Sequence, residues 1–495
     1  MAKKVLLPPY LLSIDIGTEG CKVAIFNNRG ETLTKSYQQY PLIVPKPLWV
    51  EQNPYLWLNA IKKAISNVME DINPEEVACI GLSGQSPVLV PVDVHGKPLM
   101  NAILWMDRRA VRQSKVVTEI TGVKEDPSLL LPKIIWIKEN FPEVFRRTHK
   151  FLQATDFIAY NLTGKFATDW LSASTYHYDI ERGENPEKIL NALEIPPEKF
   201  PEAFKPGTIV GTLLDKASHE VGLREGIPVV IGGIDAYMAV IGVGALKNGI
   251  ACEITGSSTC LMVASSQKIR DPQERIHCQA FPLIPDLWIV YGIMSTTGAS
   301  LRWFRDNLSR QHENYKDLDV EAEKIPAGSN GLIFLPYMMG ERSPIWDPFA
   351  RGTLIGLSLD HSRGHIIRAI LEGCSFALRH NLEIIEENGV SVREIRSCGG
   401  AAKSRIFGQI KADVTGKTIF VPKEIDATLL GTAIISAVSV GIYERIEEAA
   451  ENMVHIKERI VPQENIHSEY NLFFQMYKEA YEHLKEYFRR YYSSL

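Results

Sequence analysis

The sequence lacks a cysteine pattern that would bind a metal or build a disulfide framework. Seven cysteines are scattered over 495 residues, and no two of them form a CxxC pair. A disulfide-stabilised secreted domain and a structural zinc site are therefore not indicated. We expect a reducing, cytoplasmic environment.

Long runs of basic residues are also missing. The chain has 54 Lys and Arg against 59 Asp and Glu, a net charge of −5, which argues against a nucleic-acid partner. With 45% hydrophobic and 23% charged residues, the composition is that of an ordinary globular protein. A chain of 495 residues is too long for one core, so at least two domains are expected.

Uninterrupted apolar runs of membrane-spanning length are absent. The nearest candidate, IPVVIGGIDAYMAVIGVGAL (residues 227–246), is broken by Pro228, two glycines and Asp235. We interpret it as a buried strand, a tight turn and a buried helix, and we expect no membrane partner. In the N-terminal segment MAKKVLLPPYLLS, Pro8 and Pro9 interrupt the apolar residues, so we predict the start of a strand and no secretory signal.

Short apolar runs alternate with segments of helical spacing, which predicts an α/β fold. The chain opens with a strand, a turn and a strand in LSIDIGTEGCKVAIF (residues 12–26). The same arrangement returns in GIACEITGSSTCLMVASS (residues 249–266). We therefore predict two related α/β domains, one over residues 1–248 and one over residues 249–495.

The first strand of the opening segment ends on an acid. Asp15 is followed by Gly17, Thr18 and Gly20. The glycines let backbone amides crowd together and point at an anion, and the Thr18 hydroxyl adds a donor. Asp15 can hold Mg²⁺, usually through water. A structural hairpin with a solvated acid explains the same residues, so this segment alone leaves both interpretations open.

Two further loops leave predicted strands with small residues. GSST, at residues 256–259, suits a triphosphate clamp, although an ordinary tight turn uses the same residues. In CGGAAKSRIFGQIKADVTG, a strand ends in Gly399 and Gly400, and a helix follows to Gly416. Glycines at a helix N-terminus permit close approach of a nucleotide and offer amide donors. A simple strand-to-helix connection is the alternative, because neither the GxxxxGK[ST] nor the GxGxxG pattern is present.

A second acid follows another predicted strand. Asp235 comes after two glycines in IGGIDAY and begins a predicted helix over residues 236–243. Helix capping explains a carboxylate at this position. The functional alternative is a general base that is ionised at neutral pH. Taken together, the four loops indicate an ATP-dependent phosphotransferase with an acid for the acceptor hydroxyl.

Several of these segments resemble the motifs of the FGGY family of carbohydrate kinases. DIGTEGCK is similar to the first phosphate motif of the family, with Lys22 at the basic position, and GGIDA is similar to the motif of the catalytic base. GTLIGLSLDHSRGHIIRAILE (residues 352–372) fits the second family signature, and KIIWIKEN fits the later half of the first. Similarity extends from residue 15 to residue 441. The other matching segments are SGQSPVLVPVDVHGKPLMNAILWMDRR, LTGKFATDWLSAS, GSSTC, GERSP, CGGAAKSRIFGQIKADVTG and ATLLGTAIISAVSVG.

The resemblance implies two actin-like (RNase H-like) ATPase domains that face a central cleft. The N-terminal domain would hold the sugar and the first phosphate loop, and the C-terminal domain would bind ATP. Asp235 would be the catalytic base, and Asp15 and Asp235 would hold Mg²⁺. The remaining roles implied are sugar binding by Gln85, Ser86, Asp107 and Asp235, phosphate binding by Gly17, Thr18, Lys22, Gly256 and Ser257, and contacts on the nucleotide side by Gly298, Gly399, Gly400 and Ala401.

The sugar loop departs from the family patterns. Ser86 and Pro87 stand where xylulokinases usually have Met-His and glycerol kinases have Arg-Glu, while GSSTC is closer to ribulokinases. Glu19 stands in the phosphate hairpin where a small hydroxyl residue is commoner. The resemblance implies a small ketose as substrate, with D-xylulose first and ribulose, gluconate, glycerol or erythritol as alternatives. A homodimer is a further expectation from the family.

Two other classes of protein share parts of this pattern. An actin-like filament protein or an Hsp70-like ATPase would have the phosphate hairpins, but it gives no reason for Asp235 after Gly-Gly together with the SGQ and WMDRR loops. A sugar-responsive regulator needs a DNA-binding segment, and we expect none before the first strand at Tyr10. The sequence therefore favours a cytoplasmic sugar kinase that acts without a nucleic-acid or membrane partner.

Overall fold

The chain forms two compact units. The computed structural model describes residues 9–308 and 313–492, so the predicted start of a strand within residues 1–8 lies outside the described residues. Unit 1 contains the described part of Met1–Gly242 together with Pro282–Pro285 and Thr428–Met453. Unit 2 contains the described parts of Val243–Phe281, Asp286–Ala427 and Val454–Leu495.

Strands and helices alternate along the first 242 residues. The strands are β1 (Tyr10–Ile16), β2 (Gly20–Phe26), β3 (Thr32–Gln39), β4 (Glu51–Gln52), β5 (Val77–Gly84), β6 (Val90–Val92), β7 (Ala102–Ile103), β8 (Lys150–Leu152), β9 (Ala167–Asp169), β10 (Glu202–Phe204), β11 (Thr208–Thr212) and β12 (Pro228–Ile234). The helices are α1 (Pro54–Val68), α2 (Val111–Thr121), α3 (Leu130–Asn140), α4 (Pro142–Arg147), α5 (Ala154–Thr163), α6 (Trp170–Ala173), α7 (Glu187–Ala192), α8 (Asp215–Val221) and α9 (Asp235–Gly242).

The second half of the chain alternates in the same way. Its strands are β13 (Ile250–Thr255), β14 (Thr259–Ser265), β15 (His277–Ala280), β16 (Trp288–Met294), β17 (Ile333–Leu335), β18 (Thr353–Ile355), β19 (Glu394–Cys398), β20 (Thr418–Pro422) and β21 (Ile456–Ile460). Its helices are α10 (Gly298–Leu308), α11 (Tyr315–Glu323), α12 (Arg363–Glu387), α13 (Arg405–Thr415), α14 (Ala427–Ser439), α15 (Ile446–Met453) and α16 (Glu464–Tyr492). Short 3₁₀ turns cover Pro74–Glu76, Ser174–Tyr176, Pro197–Lys199, Ala327–Gly331 and Gly400–Lys403.

The main sheets of the two units share one topology. In unit 1 the strand order is β11-β12-β5-β1-β2-β3, and in unit 2 it is β15-β16-β14-β13-β19-β20-β21. Strands β3, β2 and β1 form an antiparallel meander, β5 and β12 follow in parallel, and β16, β14, β13, β19 and β20 repeat this pattern. This correspondence supports the relation between the two halves that the sequence predicted.

The central strands are covered on both faces. Every residue of β1 is buried, including Ser13 and Asp15, and β5 and β12 are also largely buried. Helices on both faces explain why these strands are almost continuously apolar. All seven cysteines are free thiols. In the part of the chain that the structure describes, no helix combines the length and apolar character needed to cross a membrane.

Helices α14 and α15 return from the second half of the chain to pack in unit 1. A Cβ placed on Gly431 of α14 would lie 1.8 Å from the backbone oxygen of Met238 in α9. The Thr428 hydroxyl of α14 donates to the backbone oxygen of Asp235 at 3.1 Å. The sequence division at residue 248 did not anticipate this return, because the apolar residues of α14 do not reveal which helix they contact. Glycine at position 431 is what allows α14 to approach α9 so closely.

We predict that Gly431→Ala destabilises the protein although alanine is the better helix former. The gain in helix propensity is about 1 kcal/mol, whereas a backbone oxygen cannot rotate away from the new methyl group, and overpacking costs about 1–3 kcal/mol or more. Urea unfolding of the variant should therefore have a lower midpoint than that of the wild type.

Gly408→Ala provides a matched control in helix α13. Its new Cβ would meet only the Cδ1 atom of Ile460, at 2.6 Å, and this flexible side chain can move. We expect this variant to unfold near the wild-type midpoint. An unchanged or higher midpoint for Gly431→Ala would show that the contact between α14 and α9 is not as close as described.

Candidate functional site

Three parallel strands of unit 1 end at the same edge of the sheet. Gly84 of β5 pairs with Ile16 of β1 and with Ile234 of β12. Asp15 precedes the first of these strand ends, and Gln85 and Asp235 directly follow the other two. The topology therefore brings together three of the residues that the sequence singled out, although they are far apart in the chain.

Asp15 and Asp235 influence each other electrostatically. The pKa of Asp235 is raised to about 7, first because burial removes water from the carboxyl group and second because the negative charge of Asp15 is nearby. The Ala236 amide and the Lys22 ammonium act in the opposite direction and lower this pKa. Asp15 is itself buried, and in the antiparallel register of β1 and β2 it lies opposite Lys22. Its carboxylate accepts a hydrogen bond from the Ser83 hydroxyl at 3.5 Å.

This pair of carboxylates fits a divalent cation. Mg²⁺ is commonly bound through one or two carboxylates together with waters and phosphate oxygens. Each carboxylate disfavours the ionised form of the other, and a bound cation would offset this repulsion and that of nearby phosphates. Asp15 and Asp235 therefore have the chemistry that the predicted Mg²⁺ site requires.

The capping alternative for Asp235 explains little of its placement. Helix α9 begins at Asp235 itself. Its Oδ1 accepts a hydrogen bond from the amide of the next residue, Ala236, at 2.7 Å. An N-cap side chain instead accepts from the amide two or three residues ahead. The position at the start of a helix still favours a negative charge through the helix dipole.

The hairpin between β1 and β2 is shaped by close packing. A Cβ on Gly20 would lie 2.5 Å from the Tyr37 ring, and the amide of Gly17 donates to the Gly20 oxygen at 3.1 Å. The Thr18 hydroxyl accepts from the Trp105 indole at 2.9 Å, so its own proton can be donated to a ligand. Glu19, at the tip, is exposed to solvent. This exposure allows its carboxylate to point away from a bound phosphate.

Gln52 connects the phosphate hairpin to the predicted sugar loop. Its amide nitrogen donates to the Thr18 backbone oxygen at 2.7 Å. Its side-chain oxygen accepts from the amide nitrogen of Gln85 at 3.1 Å and from the Trp57 indole at 3.0 Å. The side-chain oxygen of Gln85 is buried, and no donor among the described residues contacts it. Because buried acceptors are normally satisfied, this oxygen is suited to accept a hydrogen bond from a ligand hydroxyl.

The other two predicted sugar-binding residues contact protein groups. The Ser86 hydroxyl donates to the side-chain oxygen of Gln153 at 2.7 Å. Asp107 is fully buried and accepts hydrogen bonds from the Arg109 guanidinium at 2.8–3.0 Å and from the Val50 amide at 2.6 Å. These contacts favour a role in shaping the loop, and direct binding of a sugar by Ser86 or Asp107 stays a prediction.

Lys133 contacts the backbone of the predicted sugar loop. The sequence did not identify it as a site residue. Its ammonium is buried and donates to the backbone oxygens of Pro87 at 3.1 Å and Leu104 at 2.9 Å. Burial lowers the pKa of Lys133 to about 7, although the carboxylates of Asp107 and Asp126 favour its charge. These two backbone oxygens lie next to Ser86 and Trp105, so Lys133 connects the sugar loop to the residue that binds Thr18.

In unit 2 the corresponding parallel strands β13 and β19 also end together. Ile254 of β13 pairs with Cys398 of β19, so the loops that follow both strands lie at one edge. Gly256, Ser257 and Gly400 are exposed there. The structure thus places two of the predicted phosphate and nucleotide loops side by side within this unit.

Gly298 brings the start of α10 against the first of these loops. A Cβ on Gly298 would lie 2.1 Å from the backbone oxygen of Gly256. The backbone oxygen of Ser257 accepts from the amides of Thr297 at 3.1 Å and Ala299 at 3.0 Å. The loop and the helix start therefore form one rigid arrangement.

The predicted helix start at Gly399 and Gly400 is wrong. A 3₁₀ turn covers Gly400–Lys403, and α13 begins only at Arg405, where the Ser404 hydroxyl accepts from the Phe407 amide at 3.2 Å. Ser404 is a good N-cap, whereas Gly399 has φ +83° and lies where a Cβ would meet the Thr255 oxygen at 2.7 Å. The glycine thus serves close packing against the neighbouring strand end, and the helix dipole of α13 begins further along the chain.

We predict that Lys133→Met removes a pH dependence of stability. Folded Lys133 loses its proton near pH 7, whereas the unfolded chain keeps it to about pH 10.4. The unfolded state therefore binds more protons between these values, and the contribution of Lys133 to stability rises with pH in this window, by at most about 1.4 kcal/mol per unit. The urea midpoint of the wild type should therefore rise relative to that of the variant from pH 7 to pH 9.

Lys138→Met, on the same helix α3, is the matched control. The Lys138 ammonium pairs with the Glu194 carboxylate at 2.8 Å near the surface. We expect a difference from the wild type that stays nearly constant over this range. Equal pH dependence for both variants would contradict the assignment to Lys133.

Comparisons with known proteins identify the family of the chain. The N-terminal domain profile of the FGGY family of carbohydrate kinases matches residues 10–242, and the C-terminal domain profile matches residues 252–440. The xylulose kinase of Bacillus subtilis (strain 168) is 32% identical over 488 residues, which cover 96% of this chain and 97% of that protein.

Solved structures show the same two-domain α/β fold. The gluconate kinase and the ligand-bound xylulose kinase from Lactobacillus acidophilus each superpose with a TM-score of 0.89 at 25% identity, over 97% of this chain and 99% of theirs. The resemblance and the fold expected from the sequence are confirmed. The chain belongs to the FGGY family of carbohydrate kinases.

Proposed function

We propose that this sugar kinase transfers the γ-phosphoryl group of ATP to a hydroxyl of a small ketose, with D-xylulose as the first candidate. The observation that carries the proposal is the meeting of Asp15, Gln85 and Asp235 at one sheet edge of unit 1. The choice of sugar is supported by the similarity to the xylulose kinase of Bacillus subtilis.

Asp235 acts as the general base in this proposal. Its carboxylate accepts the proton of the attacking sugar hydroxyl while the hydroxyl oxygen forms a bond to the γ-phosphorus. The bond between this phosphorus and the oxygen that bridges it to the β-phosphate breaks, and ADP leaves with the electron pair. A pKa near 7 suits this role, because a base works best when its pKa is close to the operating pH.

Asp15, with Asp235 beside it, is proposed to hold Mg²⁺, which when bound neutralises charge on the phosphates. The Thr18 hydroxyl, the Lys22 ammonium and the backbone of the hairpin that begins at Gly17 are proposed to bind phosphate oxygens; the Gly17 amide itself donates to the Gly20 oxygen. Nucleotide binding is proposed for Gly256, Ser257, Gly298, Gly399, Gly400 and Ala401. Packing at Gly20 and Gly298 fixes the backbone around these groups before a ligand arrives.

Gln85 favours a substrate that presents a hydroxyl group, because its buried side-chain oxygen needs a hydrogen-bond donor. Gluconate supplies hydroxyl groups as xylulose does, so this contact does not separate the two. The carboxylates of Asp15 and Asp235 do separate them, since they would repel an acidic substrate. Gluconate, the substrate in the name of one structural neighbour, is therefore a weaker candidate than xylulose, with ribulose, glycerol and erythritol as further alternatives.

A cytoplasmic location is also proposed, and the free thiols of all seven cysteines support it. The homodimer expected from the family stays a prediction.

We predict that Asp235→Asn abolishes sugar-stimulated ADP release. General base catalysis contributes about 10²–10⁴-fold to rate, so kcat should fall at least this far while binding of ATP persists. The measurement is ADP release with Mg-ATP and a panel of xylulose, ribulose, glycerol, gluconate and erythritol. Asp71→Asn, at an exposed position, is the control and should behave as wild type. Sugar-stimulated activity that survives in Asp235→Asn would exclude Asp235 as the base.

We also predict that Gln85→Met raises the KM for the sugar with little change in the KM for ATP. Loss of a buried hydrogen bond costs about 1–3 kcal/mol, which corresponds to roughly a 5- to 150-fold increase in KM. Gln39→Met, at an exposed position of β3, is the control. A parallel rise of both KM values, or of neither, would contradict a contact between Gln85 and the sugar.

A further inference from the structure

An ion pair lies buried beneath the predicted phosphate loop of unit 2. Glu253 of β13 is 0% exposed, and the Lys411 ammonium of α13 lies 2.8 Å from its Oε1 atom. Lys411 also stands 4.3 Å from the centre of the Phe407 ring. Since burying both charges is costly, a pair of apolar residues of similar volume would often be equally or more stable here. Stability alone does not explain why these residues are present.

A chain of hydroxyl groups leads from this ion pair to the two ends of the phosphate loop. The Ser397 hydroxyl donates to Glu253 Oε2, and the Thr255 hydroxyl donates to Glu253 Oε1. The Thr255 and Thr259 hydroxyls are 2.7 Å apart, and those of Thr259 and Thr297 are 2.6 Å apart. All four hydroxyl-bearing residues are buried.

The carboxylate of Glu253 fixes the direction of this chain. A hydroxyl has one proton to donate, and Thr255 donates its proton to Glu253. The Thr259 proton must then point to Thr255, and the Thr297 proton must point to Thr259. One buried negative charge thereby orients three hydroxyl groups.

These three residues flank the elements that the proposed function assigns to ATP. Thr255 directly precedes Gly256, Thr259 directly follows the loop at residues 256–258, and Thr297 directly precedes Gly298. The backbone oxygen of Ser257, inside the loop, accepts from the Thr297 amide at 3.1 Å. The hydroxyl chain therefore ties both ends of the loop to the start of α10.

We propose that Glu253 and Lys411 are positioning residues for ATP, which act through Thr255, Thr259 and Thr297 on the phosphate loop at residues 256–258. The inference rests on the assignment of that loop to ATP under the proposed function, and it adds residues that touch no substrate. The Lys411 ammonium holds the Glu253 carboxylate in place. The hydroxyls that this carboxylate orients keep the loop and the start of α10 at a fixed separation. Removing the anchor should weaken nucleotide binding more than it weakens the fold.

Thr259→Val breaks the chain at its centre with almost no change in volume. We expect the Kd for Mg-ADP, measured by calorimetry, to rise at least tenfold, and Thr259→Ser to return it to within about threefold of the wild type because the hydroxyl is restored. Ser265→Ala removes a buried hydroxyl at the other end of β14, where it donates to the Gln267 oxygen at 2.8 Å. This control should leave the Kd unchanged.

The double variant Glu253→Leu with Lys411→Met separates stability from positioning. Apolar replacement of both partners of a buried pair is often neutral or stabilising, whereas the Ser397 and Thr255 hydroxyls lose an acceptor. The midpoint of unfolding should therefore stay near that of the wild type while the Kd for Mg-ADP rises. If Thr259→Val does not fold, this double variant decides the question. Wild-type ADP binding in the folded variants would overturn the proposal.

Nucleotide binding is measured without sugar, so the outcome is independent of which sugar is phosphorylated. A wild type that binds Mg-ADP but phosphorylates no tested sugar would contradict the proposed substrate and leave the positioning test intact. A wild type that binds no Mg-ADP would contradict the ATP assignment of the loop itself, and the positioning proposal would fall with it.

Discussion

The proposed site of unit 1 depends on the electrostatic interaction between Asp15 and Asp235. Parallel strands β1 and β12 carry these acids to one edge of the sheet on either side of β5, where burial and the neighbouring charge raise the pKa of Asp235 to about 7. A structural hairpin does not need a charge at the end of its first strand, and the helix dipole at the start of α9 accounts for only one of the two acids. The proposed site uses both acids, since Asp15 and Asp235 would hold a cation and Asp235 would also accept a proton.

Support for this site comes from groups that do not themselves react. Helix α14 contacts α9 through Gly431, and Thr428 donates to the backbone of Asp235, so a segment near the end of the chain holds the backbone at the proposed base. Lys133 holds the backbone on both sides of the sugar loop. In unit 2, Glu253 and Lys411 occupy a comparable place beneath the phosphate loop. Gly431, Lys133, Glu253 and Lys411 are buried, and Thr428 is partly buried.

The sequence singled out candidate residues more readily than the residues that contact them. Asp15 and Asp235 could be chosen as candidates because each is an acid at the end of an apolar run beside glycine, which is a local signal, and their roles stay a prediction. The partners of Ser86 and Thr18 could not be found, because Gln153 is 67 residues from Ser86 and Trp105 is 87 residues from Thr18. Hydrophobic periodicity is a local pattern, and it does not indicate contacts between residues so far apart in the chain.

Distant packing also decides details that the sequence does not show. The helix expected after Gly399 and Gly400 begins only at Arg405, because Gly399 is required for close packing against β13 and Ser404 is the better cap. The division of the chain at residue 248 follows the order of the sequence and gives no information on the return of α14 to unit 1, because an apolar helix does not reveal its partner. The fold class, in contrast, followed from the alternation of strands and helices and from motifs distributed along most of the chain.

Transfer of the γ-phosphoryl group to a sugar can be followed by ³¹P NMR of ATP in the presence of Mg²⁺ and D-xylulose. We expect the γ-phosphate signal to be replaced by that of a phosphate monoester coupled to protons of a sugar carbon, with ADP formed in equal amount. Conversion of ATP to ADP and inorganic phosphate alone, with xylulose and with each of the other candidate sugars, would contradict transfer to a sugar hydroxyl.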